Sequence, residues 1–260
     1  MLVDTHAHIH FDNYKDDLDI IFENARSNGV KKIITVGTDD LSSKSALEFC
    51  YSQHPKSLEI YGSAGLHPHD TDNSDEKLST IKDIVVEGGY GDKLVAVGEC
   101  GLDYFKNHSS KRSQFKALEF QIELAIEQNL PLIFHVRDAW EDFFEVLKNY
   151  RGIRGVVHSF TGSPREVEKA VEQGLYFGLN GIMTFTREPF QLEACKAIPY
   201  DRLLLETDCP FLSPAPKRGK QNEPANLIYI AKFLAKLLGI SKTDLEEMTT
   251  SNAITLFGLK

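Results

Sequence analysis

Residues 2–10 read LVDTHAHIH, an apolar, β-rich start from Leu2 to Thr5 that gives way to imidazoles at His6, His8 and His10. Parallel α/β folds are built from such units: a short strand whose downstream end carries polar side chains, followed by a helix. Seven further apolar runs repeat the pattern, at Lys32–Val36, Leu58–Ala64, Leu94–Val97, Leu132–Phe134, Gly155–Val157, Tyr176–Leu179 and Leu203–Leu205. Helix-like stretches separate them: Asp16–Ser27, Ser42–Tyr51, Asp75–Val86, Ser109–Gln128, Ala139–Tyr150, Pro164–Gln173 and Pro189–Ala197. Two more, Ala225–Leu238 and Lys242–Phe257, follow the eighth run.

Helix punctuation supports these boundaries. Asn28-Gly29, Gly152 and Gly174 read as stops, while Ser163-Pro164 and Ser241 with Asp244 read as starts. An open doubly wound sheet shares the alternation, but eight strands, seven intervening helices and a terminal pair fit a (β/α)8 TIM-type barrel better. At about 250 residues such a barrel folds as one unit, so the 260 residues are expected to form a single domain, 1–260.

Hydrophobic residues at 42% supply ample material for that core, and charged residues at 26% are ordinary, which excludes disorder. No apolar run approaches the roughly 20 residues of a membrane span, and the histidine-rich start does not read as a signal peptide. Cys50, Cys100, Cys195 and Cys209 lack paired CxxC spacing. A cytoplasmic monomer with reduced thiols, away from membranes, is expected. The net charge of −9 has the wrong sign for coating nucleic acid, so an anionic substrate must be held locally.

In a parallel barrel the active site is built where the strands end. His6 and His8 follow strand one on one face, Glu99 follows strand four, His135 strand five, His158 strand six and Asp208 strand eight. Four imidazoles and two carboxylates suit transition ions, and six such groups exceed what one tetrahedral zinc needs. Two divalent ions are the natural reading, with Glu99, from the middle of the set, as the bridging candidate. Such a pair would bring the pKa of a bound water to about 7, which is how a metallohydrolase makes its nucleophile.

THAHIH at the start, GLHPH from Gly65, GECGLD from Gly98, HVRDA from His135, HSFTG from His158, ETDCPFL from Glu206 and RGKQNEP from Arg218 together resemble the TatD family of metal-dependent deoxyribonucleases. The resemblance runs through the whole chain in order. It is similar to the wider amidohydrolase superfamily, whose barrels carry HxH on strand one, histidines on strands five and six, and an aspartate on strand eight. It implies His6, His8, Glu99, His135, His158 and Asp208 as metal ligands, Glu99 standing where relatives have a carbamylated lysine. Imidazole ligands favour zinc or manganese, whereas the family's nucleases are regarded as magnesium-supported.

Asp208 is expected to be catalytic, binding metal and accepting a proton from the attacking water, with Glu99 bridging. His67 is a candidate for contact with a phosphate, while Glu206 and His69 would orient ligands from behind. Arg137, Lys217, Arg218 and Lys220 add positive potential beside the ligand strands, and Phe105, Trp140, Phe160 and Phe211 are candidates for stacking on bases. A compact cationic mouth on an acidic body suits a few phosphates at a strand end, hence an exonuclease-like phosphodiesterase on single-stranded DNA, or RNA. The same chemistry could serve an esterase or amidase such as an aminoacyl-tRNA deacylase or lactonase, or the chain could bind metal without catalysis. The basic loop Lys217–Lys220 favours phosphate, since a neutral amide gives it nothing to bind.

Overall fold

Eight strands, each parallel to the next, run in sequence order around one sheet: β1 (Leu2–Ala7), β2 (Val30–Val36), β3 (Glu59–Ala64), β4 (Leu94–Asp103), β5 (Leu132–Arg137), β6 (Gly155–Val157), β7 (Tyr176–Leu179) and β8 (Leu203–Leu205). The computed structural model describes residues 1–15, 17–53 and 55–260. The helices between them are α1 (Leu18–Ser27), α2 (Asp40–Ser52), α3 (Asp75–Glu87), α4 (Lys111–Glu127), α5 (Trp140–Leu147), α6 (Pro164–Glu172) and α7 (Pro189–Ala197), followed by α8 (Leu227–Leu238) and α9 (Lys242–Phe257). The start expected at Asp16 lies outside the described residues. Ser163 and Glu166 form a reciprocal capping box on α6, and Ser241 accepts the Asp244 N–H to start α9.

Strand periodicity sorts the core into two layers. Ile34, Tyr61, Val95, Ile133, Val156, Tyr176 and Leu204 pack together with Ala253, Leu256 and Phe257 of α9, which fills one end of the barrel interior. Their neighbours in sequence, Ile33, Ile60, Leu132, Phe134, Val157, Phe177 and Leu203, pack outward with the helices. Counting by twos from the inner layer leads from Ile133 to His135 and Arg137, from Val156 to His158, and from Leu204 to Glu206 and Asp208. On β4 the register shifts between Val97 and Cys100, and the pairing of Gly101 with His135 and of Asp103 with Arg137 then sets Asp103 on the same face. The inner face is thus apolar at one end and polar at the other.

β4 departs most from expectation, running six residues beyond Val97 and carrying Glu99 within the strand. Gly98 and Gly101 are not breakers here. Gly101 lies opposite His135 with φ 149°, and a Cβ there would meet the His135 carbonyl oxygen at 1.9 Å. Gly101→Ala is therefore expected to cost at least about 3 kcal/mol, from backbone strain and overpacking together. Gly152→Ala, at φ 80° with open space around it, should cost only about 1–2 kcal/mol. Equal losses in denaturant melts of the two variants would refute this account of β4.

The barrel closes between β1 and β8 through one backbone bridge, Ala7 to Cys209, flanked by Asp208 N–H to His6 O and His8 N–H to Cys209 O, both 2.8 Å. Side chains reinforce this seam. Thr5 donates to Leu205 O at 3.1 Å, and Thr207 donates to Asp4 from its N–H (2.9 Å) and its hydroxyl (2.6 Å). Asp4 is fully buried, and burial pushes its carboxyl up to about 8.

Candidate metal centre

His6 Nε2, His8 Nε2, Glu99 Oε2 and Asp208 Oδ1 converge at one point of the barrel mouth. From His6 Nε2 the other three lie at 3.3, 3.4 and 3.6 Å, and His8 Nε2 is 3.4 Å from Asp208 Oδ1. The second oxygen of the same carboxylate meets a second group: Glu99 Oε1 is 2.9 Å from His135 Nδ1, 2.8 Å from His158 Nε2 and 3.4 Å from His67 Nε2. His135 Nδ1 and His158 Nε2 are 3.2 Å apart. Glu99 thus stands between two donor groups and gives one oxygen to each.

These spacings bear on what the groups could hold. Nitrogen or oxygen ligands at about 2.0–2.2 Å from a tetrahedral ion lie about 3.3–3.6 Å from one another, which the first group matches. Ring nitrogens facing each other across 3.2–3.3 Å repel through their lone pairs unless a cation or proton lies between them. The buried donor set fits divalent ions. Burial alone would raise the Glu99 carboxyl, but the facing imidazoles of His158, His67 and His135 hold it well below the usual carboxylate range. Burial likewise works against charge on His158, yet Glu99 and Glu206 raise it well above an ordinary histidine.

Several of these rings are oriented from their far side. His8 Nδ1 donates to Val36 O at 2.8 Å, freeing Nε2 to point inward. His135 Nε2 lies 3.1 Å from Asp103 Oδ2, which also meets His69 Nε2 at 3.0 Å, while Asp103 Oδ1 accepts the N–H groups of Phe105 and Lys106. Glu206 Oε1 accepts the Ser159 N–H at 2.6 Å and lies 3.6 Å from His158 Nδ1. Its carboxylate fits because β7 has Gly178 there, where a Cβ would sit 2.1 Å from Glu206 Oε2. Asp208 takes a left-handed φ of 55° just past β8, and its Oδ2 makes no hydrogen bond among the described residues.

Asp103 is the residue that sequence reasoning missed. Its signal was parity: positions 99, 101 and 103 share one strand face once Gly101 is read as strand rather than turn. Burial opposes its ionisation, yet the contacts with His135 and the Lys106 N–H hold it below the usual carboxylate range. His67 sits closer to the cluster than a substrate contact requires, and burial lowers it to about 4. His69 reaches the cluster through Asp103 and through His67, whose Nδ1 accepts its N–H at 3.2 Å. His10 is turned aside, its nitrogens taken by Thr35 (2.7 Å) and Ser42 (3.0 Å).

At the rim, Arg137 lays its guanidinium 3.8 Å from the Phe105 ring centre. Lys217 lies over Tyr229, and Arg218 stacks 3.8 Å from the centre of Phe185. Among the described residues, Lys217, Arg218, Lys220 and Arg137 make no hydrogen bond or ion pair to the cluster. Phe105 and Phe211 are exposed, whereas Phe160 is buried and Trp140 packs against it and Phe144. Cys100 and Cys209 are buried free thiols. No helix among the described residues is long and apolar enough to cross a membrane.

The profile of the family described as TatD related DNase matches residues 3–258. A protein of Bacillus subtilis named as the uncharacterized metal-dependent hydrolase YabD is 39% identical over 260 residues, with 99% of each chain covered. The 3'-5' ssDNA/RNA exonuclease TatD of Erwinia tasmaniensis is 36% identical over 254 residues, covering 95% of each. The crystal structure of YjjV, a TatD homolog from Escherichia coli, superposes with a TM-score of 0.91 at 29% identity, covering 100% of this chain and 98% of that one.

Proposed function

The chain belongs to the TatD-related DNase family and is a metal-dependent hydrolase, and from that premise we propose that it removes nucleotides from the end of single-stranded DNA or RNA. The observation that carries the reading is the Glu99 carboxylate shared between two donor groups, an arrangement suited to two divalent ions. His6, His8 and Asp208 would hold one, His135 and His158 the other, with Glu99 common to both and His67 beside the second. Ions bound there would lower the pKa of water and polarise a phosphoryl oxygen. Asp208 accepts the proton of the attacking water on its free Oδ2, and Asp103 and Glu206 keep the His135 and His158 rings aimed.

Relatives named as 3'-5' ssDNA/RNA exonucleases support the substrate class. The rim supports it too, because Arg137, Lys217 and Arg218 lie on aromatic rings and make no ion pair with a carboxylate among the described residues. We read residues 1–260 as one catalytic domain acting as a monomer in the cytoplasm. With imidazole as the majority donor, zinc or manganese is the better match and magnesium the weaker.

Protein purified without chelator should carry close to two transition-metal ions per chain by elemental analysis. It should shorten end-labelled single-stranded DNA and RNA while leaving an aminoacyl ester panel intact. Hydrolysis of the esters with intact nucleic acid would replace the reading by the esterase alternative, and full activity in magnesium with no transition metal bound would refute the metal assignment.

A further inference from the structure

Phe105 and Arg137 form a unit that the donor groups do not need. Phe105 lies two residues beyond Asp103, whose Oδ1 accepts its N–H at 2.9 Å, so its backbone is tied to the carboxylate that orients His135. Phe105 is nevertheless 57% exposed. Arg137, two residues beyond His135, pairs in register with Asp103 and stacks its guanidinium 3.8 Å from the ring centre, with Lys106 Nζ 5.9 Å away. In a chain of net charge −9, the Arg137 guanidinium has no ion pair or hydrogen bond among the described residues.

A guanidinium centred 3.8 Å over a phenyl ring spends none of its N–H groups on the ring and keeps them for a phosphate, which it can meet with two at once. The exposed surface of the same ring offers a face that any base can cover. We propose that Phe105 stacks a nucleobase of the substrate strand while Arg137 pairs with the adjoining phosphate. The pair would then hold a nucleotide neighbouring the diester presented to the cluster. This rests on the nuclease reading and adds to it a sequence-tolerant contact with the base.

The test compares two end-labelled single strands of equal length, one with bases throughout and one abasic near its 3' end. One aromatic–base stack corresponds to about 5- to 140-fold in affinity, so Phe105→Ala should raise KM for the base-bearing strand by that range. KM for the abasic strand should stay within about twofold, and Phe105→Trp should restore the difference. Arg137→Gln should raise KM for both strands and reduce the log–log salt slope by about 0.7. A 2-aminopurine base near the 3' end, followed by its fluorescence on binding, should be quenched by the unaltered enzyme and not by Phe105→Ala. An equal change on both strands in Phe105→Ala, or undiminished quenching, overturns the proposal. If the unaltered enzyme degrades neither strand, the nuclease reading falls, and the quenching comparison decides the stack on its own.

Discussion

Glu99→Gln is expected to strip metal from both donor groups and to lower activity by more than about 10³-fold, the largest loss of any single substitution in the cluster. Each Glu99 oxygen faces its own set of ring nitrogens, 3.4 Å from His6 on one side and 2.8–2.9 Å from His158 and His135 on the other. An amide keeps one oxygen acceptor and turns an NH2 toward the other set, where three nitrogen or oxygen atoms already face one another. It also removes the buried negative charge opposite His158, which raises that imidazole well above its ordinary range. Elemental analysis beside turnover decides the matter: full metal content in the variant would show that the shared carboxylate is not what holds the ions.

Asp208→Asn is expected to behave differently, lowering kcat by about 10²–10⁴ with KM and metal content little changed. Oδ1 faces His6 and His8 at 3.6 and 3.4 Å, and an asparagine oxygen can keep those positions. What the amide cannot do is take a proton on the second atom, where the carboxylate has a free Oδ2. Loss confined to kcat follows when a group acts on the transition state rather than on binding. Near-normal turnover at saturating metal would move the proton acceptor elsewhere, with Glu206 and His67 as the next groups to replace.

The strand-end histidines were legible because an apolar run followed by a polar residue fixes both the element and the end of it on which chemistry sits. His6, His8, His135, His158 and Asp208 needed nothing beyond that. Glu99 was found as a residue but set past its strand, because the apolar run that marks the strand stops at Val97 and the glycines after it carry no strand signal unless the neighbouring chain is known. At Gly101 the neighbour is the His135 backbone, which only the folded sheet supplies. The same misreading hid Asp103. The rim was the least legible part: that Arg137 lies on Phe105, and Arg218 on Phe185, depends on rotamers chosen by tertiary packing, and no spacing in the chain encodes them.

The seam between β1 and β8 also sets an order of assembly. Asp4 and Thr207, which join across it, are 203 residues apart in sequence, and contacts of such span form late because the intervening loop must first be closed. The groups that face Glu99 Oε1, on His67, His135 and His158, come from residues 67–158 and need no residue of β8 to meet. Those around His8 cannot meet until β8 docks against β1. The half of the centre containing Asp208 therefore exists only in a chain that has completed its ring.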